Sequence, residues 1–482
     1  LCTFSNGYKL TDKNTSSNYK KPLILEKFYL NFMEVIRIRR GKDIPLLGEV
    51  KDFSLKTHSS NFFAIQPYVL KFIKPKLLVE EGQQVKAGQP VVLHKEAEQV
   101  VLTSPVNGIV RKIVRGEKRR LEQIVIEATD PLDQVVFPTK DPEKMKREEI
   151  LEHLLMSGLW PLFKQRPYGV LAQPHVVPRD IFVTGFDTAP LAVSFDPFIQ
   201  QNQTHFITGL NILKKLTNGK VFLSLHQKFN QPKLYENLEN IEIKWFSGPH
   251  PAGNVGVQIH HIKPINKGEY IWTLNSQDVV ALGFLFNTGK RLFQRQVAIT
   301  GSELKNTGIY LLPAEVQIKG LIEGNLLQDN VRVISGNVLT GSKIEKDGFL
   351  MMHDTQITVI PEGNYFEFMG WAAPGFKKYS LSRTFFSWLT PNRKYRLDTN
   401  MHGGVRPFVV SEQYEKVFPF EIYPVYLLKA ILANNIDMME KLGIYEVIEE
   451  DFALCEFACT SKIESQQIMR QGIELMIKEL GY

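Results

Sequence analysis

The chain holds three cysteines in 482 residues: Cys2, Cys455 and Cys459. That is too few for a disulfide framework and fits a reducing compartment. A four-iron cluster held by thiolates needs four cysteines, so none is expected within this chain. The i, i+4 spacing of Cys455 and Cys459 reads instead as a packing pair on a helix. Long apolar runs are also missing. Crossing a bilayer takes ~20 consecutive apolar residues, and the nearest candidate, Tyr423 to Ala433, is short and carries Lys429. A chain of this kind that works at a membrane sits on it or on a partner.

Two nucleotide signatures are absent as well. No Gly-x-Gly-x-x-Gly follows a strand pattern, and no phosphate loop ends in Gly-Lys-Ser/Thr, so nothing points to dinucleotide or nucleoside-triphosphate binding. His260 and His261 lack a neighbouring Cys or acidic cluster, which argues against a metal site. The net charge is +7. Such a balance can mark an anionic partner, but basic and acidic residues alternate along most of the chain. No DNA- or RNA-binding motif accompanies them, and nucleic acid is not an expected partner.

What is present is ordinary globular composition, 43% hydrophobic and 23% charged. The length suggests about three domains. Residues 1–33 stand apart as a leader rich in Asn, Lys, Ser and Thr. Met33 directly precedes the strand pattern Val35-Ile36-Arg37-Ile38, so it is the expected functional start, with the leader disordered or a start-site artefact. Leu23 to Leu30 is interrupted by Glu26 and Lys27 and is not a secretory signal.

The predicted fold class is multidomain, α/β and β. Residues 34–135 alternate short strands with glycine turns, including Asn107-Gly108, a tight-turn signal. The pattern resembles the barrel-sandwich hybrid of biotinyl and lipoyl domains. Lys95 lies near the carrier lysine's place but lacks its usual flanks, so it reads as a solvated turn lysine. The loop Arg115-Gly116-Glu117-Lys118-Arg119-Arg120 has two readings, a partner contact or a charged hairpin.

Residues 136–290 alternate strands and helices, which predicts a Rossmann-like parallel sheet. Ligands bind such sheets beyond the carboxyl ends of strands. The loops after Thr184 and after Phe246 are the expected positions, giving Phe186, Asp187, Gly248, His250 and Gly253 as candidates. His250 could donate to a carbonyl or relay a proton, its ordinary pKa being near neutrality, or only satisfy backbone groups. The irregular segment Gly158 to Tyr168 supplies Trp160, Phe163 and Arg166, which either bind a ligand or plug a domain boundary. Residues 291–385 resemble a soluble-ligand-binding β-grasp module, and the aromatic, basic stretch Gly370 to Phe386 gives Trp371 and Arg383 as partner contacts. Residues 386–482 turn mainly helical, with Met469, Ile473, Met476, Ile477 and Leu480 on one face.

Several stretches in order resemble the NqrA family, which belongs to the sodium-translocating NADH:quinone reductase. They are Arg40 to Pro45, Thr103 to Gly108 with Arg115 to Arg119, Ser157 to Trp160, Phe186 to Ala192, Ser247 to Gly256, Arg332 to Gly341 and Glu449 to Cys459. The resemblance implies a peripheral, non-autonomous component on the cytoplasmic side of the bacterial inner membrane. Its partners would be the other members, B to F, of a six-subunit translocase that passes electrons from NADH to ubiquinone and exports sodium. Membrane contact would run through those partners. No covalent cofactor is implied here; NAD, FAD, FMN and Na+ belong to the partners, and ubiquinone is the substrate of the whole. Within that frame Trp160, Phe163, Arg166, Phe186, Asp187, Gly248, His250 and Gly253 are quinone candidates. Arg115, Lys118, Arg119, Trp371 and Arg383 are partner-contact candidates, and no catalytic residue is assigned. A scaffold without quinone contact and an NADH-oxidising flavoprotein are the alternatives. The stretch His402 to Pro407 follows the family only loosely, so no function is carried onto it.

Overall fold

The short apolar runs between residues 181 and 275 close into one layer of a parallel sheet. In the computed structural model, which describes residues 34–129, 133–236, 238–370, 372–408 and 412–480, the spatial order of this sheet is Val35–Arg37, Glu242–Ser247, Val221–His226, Ile181–Thr184, Ile271–Asn275, Lys164–Arg166 and Val170–Leu171. The first five strands are mutually parallel and the last two join antiparallel. Val221–His226 is buried along its whole length, as a strand covered on both faces must be. The leader and Trp371 lie outside the described residues.

Helices Gln203–Leu216 and Ser276–Thr288 pack on one face of this sheet. The second begins with a capping box, Asn275 accepting from the Asp278 amide at 2.9 Å while Asp278 accepts from that of Asn275 at 3.2 Å. It ends at Gly289 in the left-handed region. Glycine lets the two helices touch closely: a Cβ on Gly209 would lie 2.0 Å from the Val279 carbonyl oxygen.

Residues 62–128 form two small sheets. One orders Phe62–Ile65, Leu121–Ala128, Gly108–Arg115 and Gln84–Val85; the other Pro75–Leu77, Pro90–His94 and Ala97–Thr103. Lys95 lies exposed at the turn between the last two strands. Arg115, Lys118 and Arg119 lie at the turn joining Gly108–Arg115 to Leu121–Ala128, with Lys118 and Arg119 at positive φ and exposed. A third, mixed sheet contains Ser342–Ile344, Val331–Ser335, Gln356–Pro361, Gln294–Thr300 and Gly308–Pro313. Its far edge is Leu55–Thr57, from the start of the chain.

The cores do not follow the linear order. Phe63, Val91 and Ile124 share one core with Val297, Ile299 and Val359. The C-terminal helices pack on the opposite side of the α/β layer, where Phe186, Phe246 and Val257 meet Phe418, Leu427, Phe452 and Met469. On the last helix, Ser465–Leu480, Met469, Ile473 and Met476 are buried as the spacing predicts, but Leu480 in the final turn is exposed. Cys455 and Cys459 are buried free thiols in the C-terminal core.

Where three parts meet, Arg291 donates to the Thr103 hydroxyl, and its field reaches the buried carboxyl of Glu315. Burial pushes Glu315 up to about 8, against the opposing pull of Arg291 and the Gln66 amide. The folded state therefore holds a proton that the unfolded chain, with its carboxyl near 4.5, releases. The stability this group contributes is complete below the unfolded value and is lost as pH rises through about 8. Glu315→Gln is expected to flatten the decline of Tm between mildly acidic and mildly alkaline pH. A pH series of thermal melts checks this; an unchanged slope in the variant refutes the assignment.

Candidate functional site

Parallel strands deliver their carboxyl ends to one edge of the sheet, and the loops leaving three of them meet there. After Ile181–Thr184 comes Phe186-Asp187-Thr188, after Val221–His226 comes Gln227-Lys228-Phe229, and after Glu242–Ser247 comes Gly248. Asp43 joins them from the N-terminal segment. A cavity of about 460 Å³ opens between them, within the ~300–1,000 Å³ usual for small-molecule sites.

Close backbone packing builds the walls. Gly41 sits at φ +143°, where a Cβ would fall 2.2 Å from the His250 carbonyl oxygen. The Lys42 amide donates to that same oxygen at 2.7 Å. The His250 amide in turn donates to Asp43 Oδ1 at 2.9 Å. Gly253 lies against the Thr188 backbone and donates its N–H to Thr188 Oγ1 at 2.8 Å. The Thr188 hydroxyl also lies 3.2 Å from His250 Nδ1, within hydrogen-bonding distance. His250 is thus bonded behind the cavity, and it is not part of the lining. Burial lowers it to about 4, so the imidazole is neutral at pH 7. The expectation of a near-neutral pKa for this residue is corrected accordingly.

The lining is aromatic on one side. His226 stacks on Phe229 with centroids 4.3 Å apart and planes at 20°, and Phe186 lies 5.2 Å from the same imidazole. Burial lowers the pKa of His226, against a weaker opposing pull from the Gly248 backbone. The Lys228 amide donates to His226 Nδ1 at 3.1 Å, which leaves the ring proton on Nε2. That Nε2 is buried, and the Gly248 backbone draws on its proton without a well-formed hydrogen bond. A buried donor without a well-formed partner is costly. Asp187 stands on another side. Its Oδ1 accepts the Ala189 amide at 2.7 Å, yet burial, reinforced by the charge of Glu450, raises its carboxyl above the usual range. The site therefore offers aromatic walls, a largely buried imidazole and a carboxyl raised above its usual range.

The structure gathers Phe186, Asp187, Gly248 and, just behind them, His250 and Gly253. Trp160, Phe163 and Arg166 lie elsewhere. The two aromatic rings are fully buried against Trp272 in the α/β core. Arg166 is buried in ion pairs with Glu450 and Asp451. These three present no face to the cavity. His226, Lys228 and Phe229 are absent from the sequence candidates. They follow the middle strand of the sheet, and the same rule of strand ends would have found them there.

Residues 36–129 match the family model for the NqrA N-terminal barrel-sandwich hybrid domain, residues 145–291 that for the NqrA second alpha/beta domain, and residues 296–346 that for the NQRA C-terminal domain. The corresponding subunit of the Na(+)-translocating NADH-quinone reductase of Photorhabdus laumondii is 36% identical over 449 residues, covering 92% of this chain and 100% of the relative. Its counterpart in Hahella chejuensis is 34% identical over 448 residues, again 92% and 100%. The chain belongs to the NqrA family. Among solved structures it is similar to an air-oxidised NAD+-reducing nickel–iron hydrogenase, at 11% identity and TM-score 0.37, over 71% of this chain and 62% of that one; a likeness so distant carries no argument. The NqrA match places Phe186, Asp187, His226 and Gly248 inside the second alpha/beta domain and Asp43 inside the barrel-sandwich domain. Among the described residues no helix is long and apolar enough to cross a membrane.

Proposed function

We propose that the chain is a peripheral subunit of a Na(+)-translocating NADH-quinone reductase and handles ubiquinone at the cavity over the strand ends. The observation that carries this is the cavity itself, with His226 stacked on Phe229 and the raised carboxyl of Asp187 in one lining. A quinone ring lies against the aromatic wall of Phe186, His226 and Phe229, with Asp187 on another side of the cavity. Electrons arrive from NADH through NAD, FAD and FMN chemistry in other subunits, and sodium leaves the cytoplasm through them. The barrel-sandwich hairpin with Arg115, Lys118 and Arg119 is the proposed contact to neighbouring subunits, on the cytoplasmic side of the membrane. The domain limits 34–135, 136–290, 291–385 and 386–482 belong to the same reading.

Photo-crosslinking of the purified complex with an azido-quinone tests it. Labelled peptides from this chain are expected to span Phe186 to Ser194 or His226 to Phe229. Label confined to other subunits would leave this chain a scaffold.

A further inference from the structure

After the strand Gln356–Pro361 the described residues between 363 and 408 run irregularly, with one short turn of helix among them at Phe386–Leu389. This stretch is tied down. The Gly363 amide donates to Thr399 Oγ1 at 2.8 Å, Asn400 Nδ2 to the Tyr365 carbonyl at 2.7 Å, and Arg393 to the Phe376 carbonyl at 3.0 Å. Tyr395 is buried against the body, with its amide bonded to Pro45. Yet the large apolar side chains face outward. Phe366 is fully exposed, Phe368 is 93% exposed, and Phe376, Phe386, Trp388 and Leu389 are each exposed by half or more. A soluble surface rarely carries so much apolar area in one segment unless something covers it.

The charge of the segment says what that cover is. Residues 363–408 contain seven Lys or Arg and two Asp or Glu. Both carboxylates are already engaged, Glu367 by Lys378 and Asp398 by the Tyr365 hydroxyl. Lys377 and Arg383 are exposed, and among the described residues no carboxylate pairs with either. Unpaired cations thus flank outward aromatic rings, with no free negative charge of the segment's own to match them. The rings sit on irregular turns and one short helical turn, which offer neither a strand edge nor a helical groove to a peptide. Aromatic tips beside Lys and Arg are the pattern that suits a bilayer interface, rings among the headgroups and cations against phosphates.

We propose that residues 363–408 bind directly to an anionic lipid surface, with Phe366, Phe368, Phe376, Phe386 and Trp388 entering the headgroup layer and Lys377 and Arg383 lying on lipid phosphates. The contact gives Arg383 a lipid rather than a protein as its partner. It is independent of the quinone reading, since no residue is shared with the cavity.

Co-sedimentation of the full chain with vesicles tests the proposal. Binding is expected to phosphatidylcholine vesicles that contain phosphatidylglycerol, weak on phosphatidylcholine alone, and reduced by salt. The double variant Phe366→Ser/Phe368→Ser is expected to bind at least roughly tenfold more weakly. Lys377→Gln/Arg383→Gln is expected to lose the preference for anionic vesicles. These side chains are exposed, so thermal melts of the variants should match the parent. Brominated lipid gives a reading that needs no variant. Trp160, Trp245 and Trp272 are buried, so quenching of the parent's fluorescence reports on the segment that carries Trp371 and Trp388. Absence of binding, absence of quenching, or equal binding by the double phenylalanine variant would each overturn the proposal. A parent that ignores vesicles, with a phenylalanine variant that no longer co-purifies with membrane subunits, would make the segment a protein-docking face instead.

Discussion

Arg166→Met is expected to lower stability by about 3–5 kcal/mol. The guanidinium is 2% exposed and holds two carboxylates, Asp451 Oδ2 at 2.9 Å and Glu450 Oε1 at 2.6 Å. Asp451 is itself buried and also accepts the Ile448 amide at 2.9 Å. Burial already raises its carboxyl to about 6, even with Arg166 beside it. Remove the cation and a buried carboxylate is left with backbone donors alone. It must then either stay charged at high cost or bind a proton. Urea unfolding followed by circular dichroism measures the loss. The double variant Arg166→Met/Asp451→Leu should recover most of it, because an apolar pair of similar size needs no desolvated charges. A single variant within about 1 kcal/mol of the parent would mean that the pair does not tie the α/β layer to the C-terminal helices.

Trp160→Ala is expected to cost a similar amount, about 3–5 kcal/mol. The ring stacks on Phe163 with centroids 4.8 Å apart and planes at 18°, and meets Trp272 edge-on at 5.2 Å. Its Nε1 donates to the Ala172 carbonyl at 2.7 Å. Truncation therefore opens a void among aromatic rings and strands a buried acceptor. Trp160→Phe keeps most of the volume and loses the bond, for a smaller cost of about 1–2 kcal/mol. Urea midpoints rank the three proteins. A phenylalanine variant as weak as the alanine one would show that the hydrogen bond, not the packing, dominates.

These two residues also mark where the sequence stops being informative. Gly158 to Tyr168 is aromatic, basic and irregular, a composition shared by ligand-binding loops and by core plugs. What decides is the approach of Trp272 and of Asp451, the latter 285 positions away along the chain, and no local spacing encodes such a meeting. Elements with a period of their own were legible. The strands Ile181–Thr184 and Glu242–Ser247 end within a residue of Thr184 and Phe246, where the sequence places the loops that follow them. The site was legible by half. The rule about strand ends located Phe186, Asp187 and Gly248. It could not rank His250 against His226, because the difference lies in which imidazole is packed on Thr188 and which belongs to the cavity lining.

The N-terminal segment has a bearing on how the protein is made. Val35–Arg37 pairs with residues that a ribosome reaches about 200 residues later, and Leu55–Thr57 with residues about 250 later. At ~5–20 residues per second, the first of these strands waits roughly 10–40 s for its partner to be synthesised. Throughout that interval two short strand segments have no sheet to join. Closure of both sheet edges is then late in biogenesis, and the emerging polypeptide is a natural client for chaperones that shield unpaired strands.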